Sequence, residues 1–120
     1  MRVLIVEQDQ CLVAEWRERI ALFADEVFVA ADQAGAVDVL RHNDIQVIVL
    51  ELMLADGSAL AVADFASYRR PDARVMFVSS TRVFSDGSIF RHSPNACAFL
   101  PSATAPKDLA MMVEYHGRAA

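Results

Sequence analysis

Apolar and polar positions in this chain fall into blocks. The clearest block is Val47-Ile48-Val49-Leu50, which ends on one acid, Glu51, runs on through Leu52-Met53-Leu54 and stops at the turn pair Asp56-Gly57. An apolar run this short, closed by a turn, has the pattern of a strand covered on both faces in a parallel sheet. It delivers its acid to the carboxyl end of the strand, the edge where open α/β sheets carry their chemistry. Similar runs recur: periodicity predicts strands over 2–6, 26–31, 45–50, 73–79 and 97–100, and helices over 10–23, 33–42, 57–68 and 106–116. Strands separated by helical segments predict right-handed crossovers and a parallel sheet with helices on both faces. Asp9 and Asp32 stand where helix N-caps are needed, Pro71 lies just past the third helix, and Pro106 falls in the first turn of the last, where a missing N–H costs nothing.

Composition narrows the picture to one domain spanning 1–120: 120 residues at 55% hydrophobic content hold a substantial core. No apolar stretch reaches the ~18 residues of a spanning helix. Met1-Arg2 leads straight into strand-like Val3-Leu4-Ile5-Val6 without a signal peptide, so a cytoplasmic location and no membrane partner are expected. A net charge of −5 argues against nucleic-acid binding through a broad basic surface, and Arg17, Arg19, Arg69, Arg70 and Arg74 are expected as solvated helix ends. Cys11 and Cys97 have neither metal-site spacing nor a partner motif and read as small buried hydrophobes.

Four segments in this order and spacing carry a family resemblance over essentially the whole chain. They are Val3-Leu4-Ile5-Val6-Glu7, Leu50-Glu51-Leu52-Met53-Leu54 with Asp56-Gly57, Phe77-Val78-Ser79-Ser80, and Ala96-Cys97-Ala98-Phe99-Leu100-Pro101. The chain resembles a response-regulator receiver domain, the phosphoacceptor module of two-component signalling. The resemblance implies a flavodoxin-like, doubly wound (βα)5 three-layer sandwich with parallel strand order 2-1-3-4-5. It also implies a signalling role rather than an enzymatic one.

The same resemblance exposes departures at the positions that carry the family's chemistry. The phosphoacceptor aspartate is replaced by Glu51. In-line attack on phosphorus needs a nucleophile held in place, and one added methylene moves it by more than ~1 Å, a misplacement that can cost about 100-fold in rate. The paired acids that hold magnesium read Glu7-Gln8, and Asp9 is committed to capping. With Glu7, Glu51 and the carbonyl of Met53 as the remaining ligands, magnesium is expected to bind weakly or not at all. The lysine that pairs with the phosphoryl group is replaced by Ser102, and the proline after it by Ala103, so a trans bond and a shifted loop are expected there. Without that lysine, Glu7 and Glu51 become like charges at close quarters, which raises the pKa of one of them. Ser79 matches the family's switch hydroxyl and Phe99 its switch aromatic; either an active-like arrangement, with Glu51 reaching Ser79, or a frozen inactive one is compatible with these residues.

The stretch from Thr81 to Asn95 is a poor helix, holding Gly87, several serines and Pro94, so the fourth helix is expected to be short or irregular. Asn95 stands where the family commonly ends this helix with glycine, and is expected to take the left-handed cap conformation. Receivers meet partners on the face of fourth helix, fifth strand and last helix. Remodelling there implies a changed surface for a histidine kinase, an output protein or a second copy. His92 and His116 are expected to face solvent, and Met111, Met112, Val113 and Tyr115 to serve either core or partner, the methionine pair reading as core.

The reading is a degenerate receiver that signals by phosphorylation-independent protein binding. No effector domain is expected within these residues, so the output is expected to travel through a partner. A phosphoacceptor receiver using Glu51 with magnesium is the alternative. An unrelated flavodoxin-like enzyme is the remote one, disfavoured by the absence of a Gly-rich phosphate loop or a nucleophile–base motif.

Overall fold

In the computed structural model of the chain, which describes residues 1–79 and 93–119, the predicted alternation forms one five-stranded sheet. The elements run β1 (Arg2–Val6), α1 (Gln10–Ile20), β2 (Glu26–Ala30), α2 (Gln33–His42), β3 (Val47–Glu51), α3 (Ala59–Arg69), β4 (Arg74–Ser79), β5 (Ala96–Pro101) and α4 (Pro106–Ala119). All neighbouring strands pair in parallel, in the order β2-β1-β3-β4-β5. The expected fourth helix, with Ser80 and His92, lies outside the described residues.

Side-chain alternation along each strand builds two cores. Leu4, Val6, Ile48, Leu50, Val75 and Phe77 face α2 and α3, while Val3, Ile5, Val47, Val49, Met76 and Val78 face α1 and α4. Every residue of β3 is buried, as a central strand covered on both faces requires. The helices turn matching stripes inward: Val13, Trp16 and Ile20 from α1, Ala36 and Leu40 from α2, Ala59, Val62, Ala63 and Ala66 from α3.

Local chemistry sets the boundaries. The Asp9 carboxylate accepts from the N–H groups of Cys11 and Leu12, and that of Asp32 from Gly35 at 2.8 Å. The third helix opens at Ala59, two residues later than predicted, because Gly57 occupies φ +96° and Ser58 becomes the cap, its Oγ accepting from Ala61 N. Helix α1 stops at Ile20 rather than at 23, its last carbonyls taken by tighter bonds from Leu22 to Arg19 and from Phe23 to Ile20. Among the described residues no helix is long and apolar enough to cross a membrane.

Several side chains depart from expectation. Cys11 is exposed rather than buried, since it follows the cap on the solvent side of α1; Cys97 is half-buried. Arg70 and Arg74 are half-buried rather than solvated, the first reaching back to α2 and the second opening β4. Asn95 has no left-handed backbone, because Pro94-Asn95 form the middle of a turn closed by Ala96 N on Ser93 O at 3.0 Å, a geometry that suits proline second and needs no positive φ. His116 is half-buried rather than solvent-facing, its ring edge-on to Tyr115 with centroids 5.1 Å apart. Of the α4 residues open to core or partner, Val113 is buried and Met112 half-buried, while Met111, of the methionine pair read as core, and Tyr115 are 63% and 71% exposed.

Candidate functional site

The register of the sheet assembles the carboxyl-edge residues. Val6 of β1 pairs with Leu50 of β3, so Glu7 and Glu51, one step on, come side by side at the top of adjacent central strands. Glu51 pairs with Val78 of β4, which puts Ser79 at the end of the next strand, and Ser79 pairs with Pro101 of β5. Glu7, Glu51 and Ser79 are 2%, 6% and 1% exposed, a rare placement for two acids.

Each carboxylate is anchored by backbone. Glu7 Oε1 accepts from the N–H groups of Gln8 and Asp9, both at 3.0 Å, while its buried Oε2 has no donor among the described residues. Glu51 Oε1 accepts from Met53 N at 3.0 Å. The Glu51 carboxyl lies beside that of Glu7, and its pKa is pushed up to about 7, first by burial and then by this neighbouring acid, against the opposing pull of the Met53 N–H. Two ionised carboxylates have no proton to share, so Glu7 Oε2 is left unsatisfied unless one of the pair is protonated.

Gln8 has a role that spacing alone did not indicate. Its side-chain Nε2 donates to the carbonyl oxygen of Met53 at 3.3 Å, so the amide that replaces the family's second acid occupies the carbonyl the resemblance assigns to magnesium. Among the described residues no group of three or more His, Cys, Asp or Glu side chains is placed to hold a metal ion.

The remaining predicted residues lie on β4, on β5 and in the loop after it. Ser102 N donates to Ser79 O at 2.9 Å, and Thr104 N to Pro101 O at 3.0 Å, folding the loop after β5 back on its strand. The peptide bonds of the described residues are trans, that between Ser102 and Ala103 included. Phe99 is half-buried against the core shared with α2 and α3. On the other side, Gln33 Oε1 accepts from Ser58 N at 2.8 Å and Gln33 N donates to Asp56 O, locking the loop that follows Glu51; nothing in the local pattern of Gln33 announced that contact.

No protein-family model and no curated protein matches the sequence. Solved structures match in shape. A CheY-like response-regulator receiver domain protein from Methanospirillum hungatei is 17% identical with a TM-score of 0.87, covering 98% of this chain and 94% of the other. The receiver domain of Francisella response regulator 1452 is 14% identical with a TM-score of 0.84, covering 98% and 97%. A response regulator from Burkholderia pseudomallei, solved with a phosphorylated aspartic acid, a calcium ion and citrate, is 14% identical with a TM-score of 0.79, covering 95% and 71%. This chain has the fold of a response-regulator receiver domain, flavodoxin-like with strand order 2-1-3-4-5.

Proposed function

We propose that this chain is a two-component receiver module that signals without phosphorylation, by binding another protein, and that it is not an enzyme. The observation that carries this reading is the state of the carboxyl edge, where Gln8 holds the Met53 carbonyl and Glu51 lies against Glu7. A magnesium ion needs hard oxygen ligands in near-octahedral array. The residues present do not fit one: Glu7 Oε1 already accepts two backbone N–H groups, the Met53 carbonyl is engaged, and Ser102 supplies no charge for a phosphoryl group. A proton held between Glu51 and Glu7 gives Glu7 Oε2 the donor it lacks and supplies, without metal or lysine, the charge balance that a receiver otherwise obtains from both.

A protein partner is supported by the fold, since receiver domains generally interact with kinases and output domains, and by α4, where Met111 and Tyr115 stand exposed. Met111 and Tyr115 stand four residues apart, one helical turn, and so share one face of the helix, a patch that a partner can cover. That partner is a histidine kinase, an output protein or a second copy.

The test is an NMR titration with magnesium and then magnesium plus beryllofluoride, an acyl-phosphate mimic, following the amides of Glu51, Ser79, Phe99 and Ser102. No concerted shift at millimolar magnesium is expected. A concerted shift would make Glu51 a working phosphoacceptor and overturn the reading.

A further inference from the structure

Away from the carboxyl edge, the ends of α2 and α3 gather three guanidinium groups. Arg70 Nε donates to Leu40 O at 3.0 Å, and Arg69 Nη2 and Arg70 Nη2 both donate to Arg41 O, at 3.1 and 3.3 Å. These bonds satisfy the last carbonyls of α2, which have no partner inside the helix. They also draw Arg69 and Arg70 up to Arg41, whose own guanidinium stands over the Phe65 ring, 5.7 Å from its centroid. Among the described residues none of these three arginines has a carboxylate partner. Three cations without an ion-pair partner at the ends of α2 and α3 are unexpected on a chain of net charge −5.

Two of them, Arg41 and Arg69, line a surface cavity of about 360 Å³ together with His42, Phe65 and Tyr68. Tyr68 is 81% exposed, the half-buried Phe65 forms part of the lining, and His42 is turned toward Asp38 on its own helix. Tyrosine and arginine are the residues that most often dominate binding energy at protein interfaces. A guanidinium presents a fork of donors matched to a carboxylate, and stays strong where aromatic rings exclude water.

We infer that this α2–α3 patch is a docking site for a short acidic segment of a protein partner, carrying clustered Asp or Glu beside one aromatic or aliphatic side chain. The carboxylates pair with Arg41 and Arg69 and the apolar side chain lies between Phe65 and Tyr68. The scale of the patch favours a peptide over nucleic acid. A strand of nucleic acid gains affinity by neutralising many phosphates in a row, whereas this patch offers only three guanidinium groups at one pair of helix ends on a chain of net charge −5. The inference does not depend on how Glu51 behaves, because none of its residues belongs to the carboxyl edge.

The test is to pan a random-peptide phage library against the full chain and to measure selected peptides on the wild type, Arg41→Glu, Tyr68→Ser and, as a control of equal charge change elsewhere, Arg17→Glu. Circular dichroism checks that each variant is folded. Enriched peptides should be acidic with one apolar residue, shift the amides of Arg41, His42 and Tyr68, and bind about tenfold or more weakly to Arg41→Glu and to Tyr68→Ser but not to Arg17→Glu. Binding should also weaken between ~50 and ~500 mM salt. No enrichment, peptides lacking acids, or equal losses in Arg41→Glu and Arg17→Glu would overturn the inference. Tighter binding of oligothymidylate than of any selected peptide at the same residues would overturn it in favour of nucleic acid.

Discussion

The side-chain amide of Gln8 holds the carbonyl oxygen of Met53 at 3.3 Å, joining the end of β1, beside Glu7, to the loop after β3, beside Glu51. A carboxylate at position 8 could not make this bond, because it has no proton to donate. Gln8→Asp should therefore release the carbonyl and add a hard ligand at once. Magnesium affinity is expected to rise about tenfold or more, read from the amides of Glu51 and Met53 in a magnesium titration. Unchanged affinity would mean that this bridge does not control the metal.

Protonation of Glu51 makes stability depend on pH. Its pKa is raised to about 7 in the folded chain, by burial first and by Glu7 beside it, against about 4.3 for a solvated glutamate. The folded chain then binds the proton more tightly than the unfolded one, so the contribution is fully present below the unfolded value and is lost as pH rises through the folded one. The urea midpoint should be lower at about pH 8 than at about pH 5.5, and Glu51→Gln should flatten that slope. His116, held below its ordinary range by burial and then by Arg74, acts in the opposite sense. The difference between wild type and Glu51→Gln isolates the carboxyl. An identical slope in both proteins would refute the shared proton.

Gly57→Ala should destabilise the fold. At φ +96° a side chain is strained, and its Cβ would meet Gln33 Cβ at 2.4 Å and Gln33 Oε1 at 2.8 Å. The left-handed backbone alone costs about 1–2 kcal/mol, and displacing Gln33 also removes its bond to Ser58 N. A lower urea midpoint with an unchanged m value, followed by the fluorescence of the single, fully buried Trp16, is the expected result.

The two cysteines should separate chemically. Cys11 is exposed, whereas the Cys97 thiol is half-buried, donates to Val75 O, and is pushed up to about 11 by burial. Thiolate is the reactive form. A disulfide-exchange reagent at about pH 8 should therefore titrate one thiol per chain quickly and the second only on unfolding. Loss of the fast phase in Cys11→Ser assigns it; two fast thiols in the folded chain would contradict the burial of Cys97.

Helix and strand identity were legible in the sequence because they rest on local periodicity: β3 is apolar at every position that two covering layers demand, and Asp9 and Asp32 cap the helices they precede. The pairing of Glu7 with Glu51 was legible too, through the resemblance, since parallel strands in a given order fix which ends are neighbours. The sequence left open whatever depended on side-chain direction between distant elements. Gln8 on Met53, Gln33 on Ser58, and Arg69 and Arg70 on the last carbonyls of α2 join residues 25 to 45 positions apart. Asn95 turned without left-handed backbone because Pro94 set the turn, and Met111 and Tyr115 faced outward because α4 presents Leu109 and Val113 to the sheet instead. Local propensity acts within a few residues, so it specified the elements and their order. Which polar groups satisfy one another, and which cations are left unpaired on the surface, was decided only when packing brought those elements together.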